Sequence, residues 1–263
     1  MNLFRRVLLV VIAMLITAPI FAQGETGAKA QNAVLITGSN RGIGFYFVEQ
    51  YADLCWLVIA TTRNPDSAEE LNAYAADHPN VVVERLDLLD HEGIDALAAK
   101  YKDQPIDVLL NNAGLMKGPE KSQMVGTIDY DEFIRTYRIN VMGPLKVSEA
   151  FYPNVKKSDH KLMAALTTGK GKRGIPVPGF SLYKTSKASL DAMQLEIALR
   201  WTRQGLRVVT LLPGRVLTHG ETDAGGTNAI PIEESVAGMI KVMDEFPIEL
   251  TGTTVQWDGE LIQ

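Results

Sequence analysis

Two side chains four residues apart carry the chemistry to move a proton: the phenol of Tyr183 and the ammonium of Lys187, in Tyr183-Lys184-Thr185-Ser186-Lys187. The stretch that follows, 188–200, has helical character, and on a helix residues at i and i+4 share one face. A free tyrosine has a pKa of about 10 and gives up its proton poorly at neutral pH. A neighbouring cation favours the phenolate, so this spacing predicts a phenol drawn down toward general acid–base use. The pair could protonate a carbonyl oxygen and, in the reverse direction, take that proton back.

A second constellation is built for an anion. Gly38-Ser39-Asn40-Arg41-Gly42-Ile43-Gly44 follows an apolar run at 33–37 and opens a helix-like stretch. The glycines at 38, 42 and 44 let the chain turn sharply and let a pyrophosphate come close to backbone. The N–H groups at the start of the helix would then face that anion. Farther on, the second apolar run ends without an acid, in Thr61-Thr62-Arg63-Asn64. Arg63 offers a planar, permanently charged fork suited to a phosphate, and Arg41 adds a second positive charge near it.

The elements that must position these groups are legible as short apolar runs at 33–37, 57–61, 81–86, 108–110, 162–167, 208–212 and 253–256, alternating with helical stretches. Continuous apolar strands separated by helices imply a parallel sheet covered on both faces. The expected fold is α/β, a doubly wound, Rossmann-type sheet of about seven strands in a single domain, 33–263. A length of 263 residues suits one sizeable domain. A net charge of −5 argues against nucleic acid as a partner. The single cysteine, Cys55, excludes an internal disulfide and reads as a small buried hydrophobe. His78, His91, His160 and His219 have no metal-ligand spacing and read as surface or loop residues; no metal is expected.

Thr37 through Gly44 resemble the T-G-x-x-x-G-I-G loop of the short-chain dehydrogenase/reductase family, and the similarity extends over 33–263. Asn111-Asn112-Ala113-Gly114 after the fourth run resembles the family's N-N-A-G string, and the Tyr183/Lys187 pair falls in the family's order. The resemblance implies an oxidoreductase that passes hydride between a nicotinamide cofactor and a small carbonyl or alcohol substrate, with Tyr183 as acid/base beside Lys187. The basic pair Arg41 and Arg63 implies NADP rather than NAD. By the same resemblance Gly38, Asn40, Arg41, Gly42, Ile43, Gly44, Arg63, Asp87, Leu88, Asn112, Ala113, Gly114, Val216 and Thr218, with Tyr183 and Lys187 themselves, bind the cofactor. Asn140 holds a kinked helix and a proton-relaying water. Thr168, in Thr167-Thr168-Gly169, stands where the family has its third catalytic residue, a serine. The stretches 233–239 and 252–259 are similar to the sniffer and C-factor group of carbonyl reductases, whereas Arg215 and His219-Gly220-Glu221 depart from that group. A homodimer or homotetramer is implied in the same way.

Three segments leave alternatives open. Residues 1–22 place two arginines before an apolar run that ends near Ala22, the order of an export signal; an uncleaved membrane anchor is the other reading, and 23–32 reads as a linker. Either reading puts the domain outside the cytoplasm, in a periplasm, or at the membrane. The run Lys170-Gly171-Lys172-Arg173-Gly174 suits a solvated loop or a site that attracts an acidic substrate. Residues 219–230, rich in Gly and Thr, suit a mobile loop over the substrate or an ordinary exposed loop. Against the reductase stands a second functional class, an exported cofactor-binding signalling or sensor protein with little turnover.

Overall fold

Five of the apolar runs become strands buried almost throughout, whereas those at 81–85 and 253–256, toward the two edges of the sheet, are only partly covered. In the computed structural model, which describes residues 31–116, 123–169, 180–216 and 229–262, the strands are β1 (Ala33–Thr37), β2 (Leu57–Thr62), β3 (Val81–Arg85), β4 (Val108–Asn111), β5 (Leu162–Leu166), β6 (Arg207–Leu212) and β7 (Thr253–Gln256). An eighth, β8 (Leu261–Ile262), pairs antiparallel with β7 and is the one strand not expected from the sequence. Two residues are too few to show a period. The sheet order is β3-β2-β1-β4-β5-β6-β7-β8, parallel from β3 to β7.

The strand order reverses between β1 and β4. At such a switch point the connections leave in opposite directions and open a crevice at the carboxyl ends of the strands. Helices α1 (Gly42–Asp53), α2 (Glu69–Asp77) and α7 (Ile232–Glu245) supply apolar residues to one core layer, where Phe47, Val48, Leu71 and Val236 have no exposed surface. Helices α3 (His91–Lys100), α5 (Gly143–Lys157) and α6 (Ser181–Trp201) supply the other, with Ile94, Val147, Phe151 and Ile197. Each fully buried aliphatic or aromatic side chain of this kind stabilises the fold by roughly 1.5–3 kcal/mol. Gln31–Gln263 forms one compact unit.

Helix α4 (Tyr130–Tyr137) runs through a π-turn at Arg138–Met142 directly into α5. Such a turn bends a helix and is common at functional sites. Asn140 sits in its centre. Gly143, which follows, lets α5 approach Leu88: a Cβ there would lie 2.7 Å from the Leu88 Cβ.

Cys55 departs from expectation. It is exposed and adopts a left-handed backbone, φ 60°, where α1 turns into β2. Cys55 N–H donates to the Ala52 carbonyl and Trp56 N–H to that of Tyr51, so the residue closes the helix in the place glycine usually takes. His160 is a loop residue as expected, between α5 and β5, and is half-buried edge-on to Trp56. The expectations for 1–22, for 23–30, for 170–174 and for 217–228 (which includes Thr218 and His219) lie outside the described residues. Among the described residues no helix is long and apolar enough to cross a membrane.

Candidate active site

The glycine loop is held by the strand on its other side. Asn112 Nδ2 donates to the carbonyls of Thr37 (2.8 Å) and Gly38 (3.0 Å), and Ala113 N–H donates to Thr37 Oγ1 at 3.0 Å. Ser39 adds a backbone bond to Thr61 at 2.9 Å. The ends of β1, β2 and β4 are thereby fixed to one another.

Glycine is required here by space as well as by backbone. Gly38 has φ 70° and Gly42 φ 56°, the left-handed region that other residues avoid. At Gly44 a Cβ would lie 2.2 Å from the Gly38 carbonyl oxygen and 2.5 Å from Asn112 Nδ2. The loop is folded onto itself, and α1 begins immediately behind it.

In front of it lies a cavity of about 560 Å³. Gly38, Asn40, Arg41, Ile43, Gly44, Arg63, Asp87, Leu88, Asn112, Ala113 and Gly114 line it, joined by Thr62, Asn64, Ser67, Leu86, Leu115, Arg135 and Ile139. The volume falls within the usual range for small-molecule and cofactor sites, roughly 300–1,000 Å³. Three arginines face it and one carboxylate, Asp87, whose Oδ1 is engaged by the Leu89 N–H at 3.0 Å. Most of the lining missed from sequence adjoins residues already singled out. Arg135 and Ile139 are different: they lie one turn apart on the α4 segment, and only the fold brings that segment to the crevice. Gly42 and Val216 are not in the lining. Gly42 makes the turn, and Val216 forms an isolated bridge with Ile230.

Lys187, one of the two candidate proton-transfer residues, stands at the edge of this cavity. A Cβ on Gly114 would lie 3.3 Å from Lys187 Nζ and 3.5 Å from Asn140 Oδ1, so Gly114 separates the cavity from the catalytic helix by a single backbone thickness. Tyr183, Lys187 and Asp191 follow one another at four-residue intervals on α6. The carboxyl end of β5 orients the first two. Lys187 Nζ donates to the Leu166 carbonyl at 2.7 Å, and the Thr168 side chain is hydrogen-bonded to the Tyr183 phenol.

Asn140 braces the assembly. It is wholly buried. Its Oδ1 accepts from Leu115 N–H at 2.7 Å, while Nδ2 donates to the Leu115 carbonyl (2.9 Å) and to Ser186 Oγ (3.0 Å). Ser186 Oγ donates in turn to the Tyr183 carbonyl at 2.8 Å. One amide therefore ties the β4 loop, the π-turn and α6 together.

The electrostatics differ from the expectation drawn from spacing. Burial raises the Tyr183 pKa, the Thr168 hydrogen bond lowers it, and the Asp191 carboxylate raises it again. Burial also pushes Lys187, 4% exposed, down to about 8, against the opposing pull of Asp191. Tyr–Lys spacing alone predicts a lowered phenol. In the fold, desolvation of the phenolate dominates and the lysine is turned to a carbonyl.

A family model described as short chain dehydrogenase matches residues 32–228. An uncharacterised oxidoreductase of Schizosaccharomyces pombe is 31% identical over 245 residues, covering 86% of this chain and 96% of that protein. The crystal structure of an NADPH-bound carbonyl reductase from chicken fatty liver aligns with a TM-score of 0.80 at 28% identity, over 88% of this chain and 98% of that one. The carbonyl reductase Sniffer of Drosophila melanogaster aligns with a TM-score of 0.78 at 27% identity, over 88% and 99%. The parallel sheet, the glycine loop at its switch point and these similarities together show that the chain is an oxidoreductase of the short-chain dehydrogenase family.

Proposed function

We propose that the chain reduces small aldehydes or ketones with NADPH, Tyr183 supplying the proton. The observation that carries this reading is the adjacency of a phosphate-suited crevice and Lys187 across Gly114, with Tyr183 one turn before it on α6. The residues present fit the dinucleotide. The glycine loop leaves a cradle that a Cβ at position 44 would fill, and the cavity holds Arg41 and Arg63 for a phosphate on the ribose. The chicken enzyme, crystallised with NADPH, supports the choice of cofactor.

When bound, the nicotinamide supplies hydride to the carbonyl carbon. The chain's own residues do the rest. Thr168, at the end of β5, orients the substrate carbonyl and the Tyr183 hydroxyl toward each other. Tyr183 donates its proton to the carbonyl oxygen and is left as a phenolate. The Lys187 cation stabilises that developing charge within a site dry enough to make the interaction strong. Asn140 positions both through Ser186 and the π-turn.

The decisive assay follows NADPH consumption by the wild-type chain across a panel of aldehydes and ketones, with NADH in parallel. Turnover with NADPH supports the reading. Tight NADPH binding without turnover on any carbonyl would make the chain a cofactor-binding sensor instead. Exposed apolar side chains on α4, the π-turn and α6, namely Ile134, Met142, Leu195 and Leu199, support pairing of two copies through these helices. Sedimentation at micromolar concentration checks it. The charged, apolar, small order of 1–22 supports export or anchoring, which fractionation with N-terminal sequencing checks.

A further inference from the structure

The cofactor crevice has a third arginine whose place differs from the other two. Arg41 lies in the glycine loop and Arg63 at the end of β2, beside the backbone N–H groups that suit phosphate. Arg135 lines the same cavity from a different element, the last turn of α4. Ile139 follows one helical turn later and lines the same cavity, as do Leu86 and Leu88 beyond β3. That part of the lining is apolar and suits a flat ring rather than an anion.

An arginine that shares a cavity with apolar side chains has a specific use. Its guanidinium is planar, weakly hydrated and attracted to the face of a π system. Glu132, one turn back, lies 3.7 Å from Arg135 Nη1, a loose ion pair made through one terminal nitrogen. The side chain is 47% exposed and able to swing over a ring entering from solvent. We propose that Arg135 is a further cofactor-binding residue, stacking its guanidinium on the adenine ring of the dinucleotide whose base occupies the slot between Leu88 and Ile139. The proposal rests on the reading of this cavity as a dinucleotide site.

The two arginine roles are separable because NADPH and NADH share the adenine and differ in the ribose phosphate. Dissociation constants for both are measured by calorimetry on wild type, Arg135→Ala, Arg135→Lys and Arg63→Ala, with thermal melts confirming that each folds. A lost cation–π contact raises a dissociation constant by about three- to thirtyfold. Arg135→Ala is therefore expected to weaken NADPH and NADH equally, by about tenfold. Arg135→Lys, which keeps the charge without the plane, restores less than half of the loss, and Arg63→Ala weakens NADPH alone. Unchanged binding of both dinucleotides by Arg135→Ala would overturn the proposal and leave Arg135 as the ion-pair partner of Glu132. A loss confined to NADPH, or full rescue by lysine, would overturn it in favour of a phosphate contact. A wild-type chain that binds neither dinucleotide would defeat the underlying reading and the proposal with it.

Discussion

The two halves of the sheet meet their task by opposite means. On the β1–β4 side the working parts are backbone and small residues: a glycine loop, an asparagine donating to two carbonyls, and arginines that reach the cavity from solvent. The buried charge among the described residues there, Asp107, accepts from the Ala33 N–H at the start of β1, away from the loop. On the β5–α6 side the working parts are a phenol and an ammonium taken out of water, with one carboxylate nearby. In the proposed reading the first half binds through a loop fixed by hydrogen bonds, those of Asn112 and Thr37 above all. In the same reading the second half reacts through groups that burial leaves poorly solvated. Binding and reactivity should therefore respond differently to mutation.

The largest expected effect comes from the buried cation. Lys187 falls from 10.5 to about 8 in the fold, which corresponds to about 3 kcal/mol of differential stabilisation between its two protonation states. A base with a depressed folded pKa costs stability wherever the unfolded lysine is charged and the folded one resists charging. That cost is complete below about pH 8 and absent above about pH 10.5. Lys187→Met is expected to lower turnover by about 10²–10⁴-fold, the usual worth of acid–base catalysis. The same change should raise stability near neutral pH by up to about 3 kcal/mol. Urea melts at several pH values check this, with the gain shrinking as pH rises through the window. A variant that is less stable than wild type at neutral pH would break the contrast between the halves.

Gly44→Ala probes the other half with the opposite sign. The added methyl meets the Gly38 carbonyl and the Asn112 amide, neither free to move, so the fold should lose about 1–3 kcal/mol. NADPH binding should weaken at least about tenfold, which at about 1.4 kcal/mol per decade asks only a modest distortion of the loop. Thermal melts and titration calorimetry read the two effects. Unchanged binding would show that the loop does not carry the phosphate site.

The smallest effect sharpens the comparison within the catalytic helix. Asp191 raises both Tyr183 and Lys187. Removing its charge in Asp191→Asn should move the limb of the pH–rate profile governed by Tyr183 toward lower pH. In the reduction direction activity then falls off at lower pH than in wild type, and in the oxidation direction it rises earlier. Turnover near neutral pH should change by no more than a few-fold. A limb displaced upward would contradict the electrostatic account.

What could be read from the sequence divides along the same line. The glycine loop and the seven parallel strands were legible because their causes are local: apolar continuity, and a turn that only glycine can make. Arg135 and Gly143 were not legible, because Leu88, which lines the same cavity as the one and lies against the other, is 47 and 55 residues away in sequence. The direction of the Tyr183 shift was misread because spacing reveals the neighbour but not the loss of solvent. Cys55 was misread because its composition class is usually buried, while the helix end needed a left-handed residue at that position. Among the apolar residues of α6, Ile197 enters the core whereas Leu195 and Leu199 face outward, a distinction their identical chemistry conceals.

The central claim is that one half of the molecule binds the dinucleotide while Tyr183, on the other, transfers the proton. Its most direct test measures NADPH affinity and carbonyl turnover together in Tyr183→Phe, which keeps the ring and removes only the hydroxyl. The account predicts a dissociation constant within about twofold of wild type and a turnover number lower by about 10³-fold. Turnover that survives the loss of the hydroxyl would contradict it.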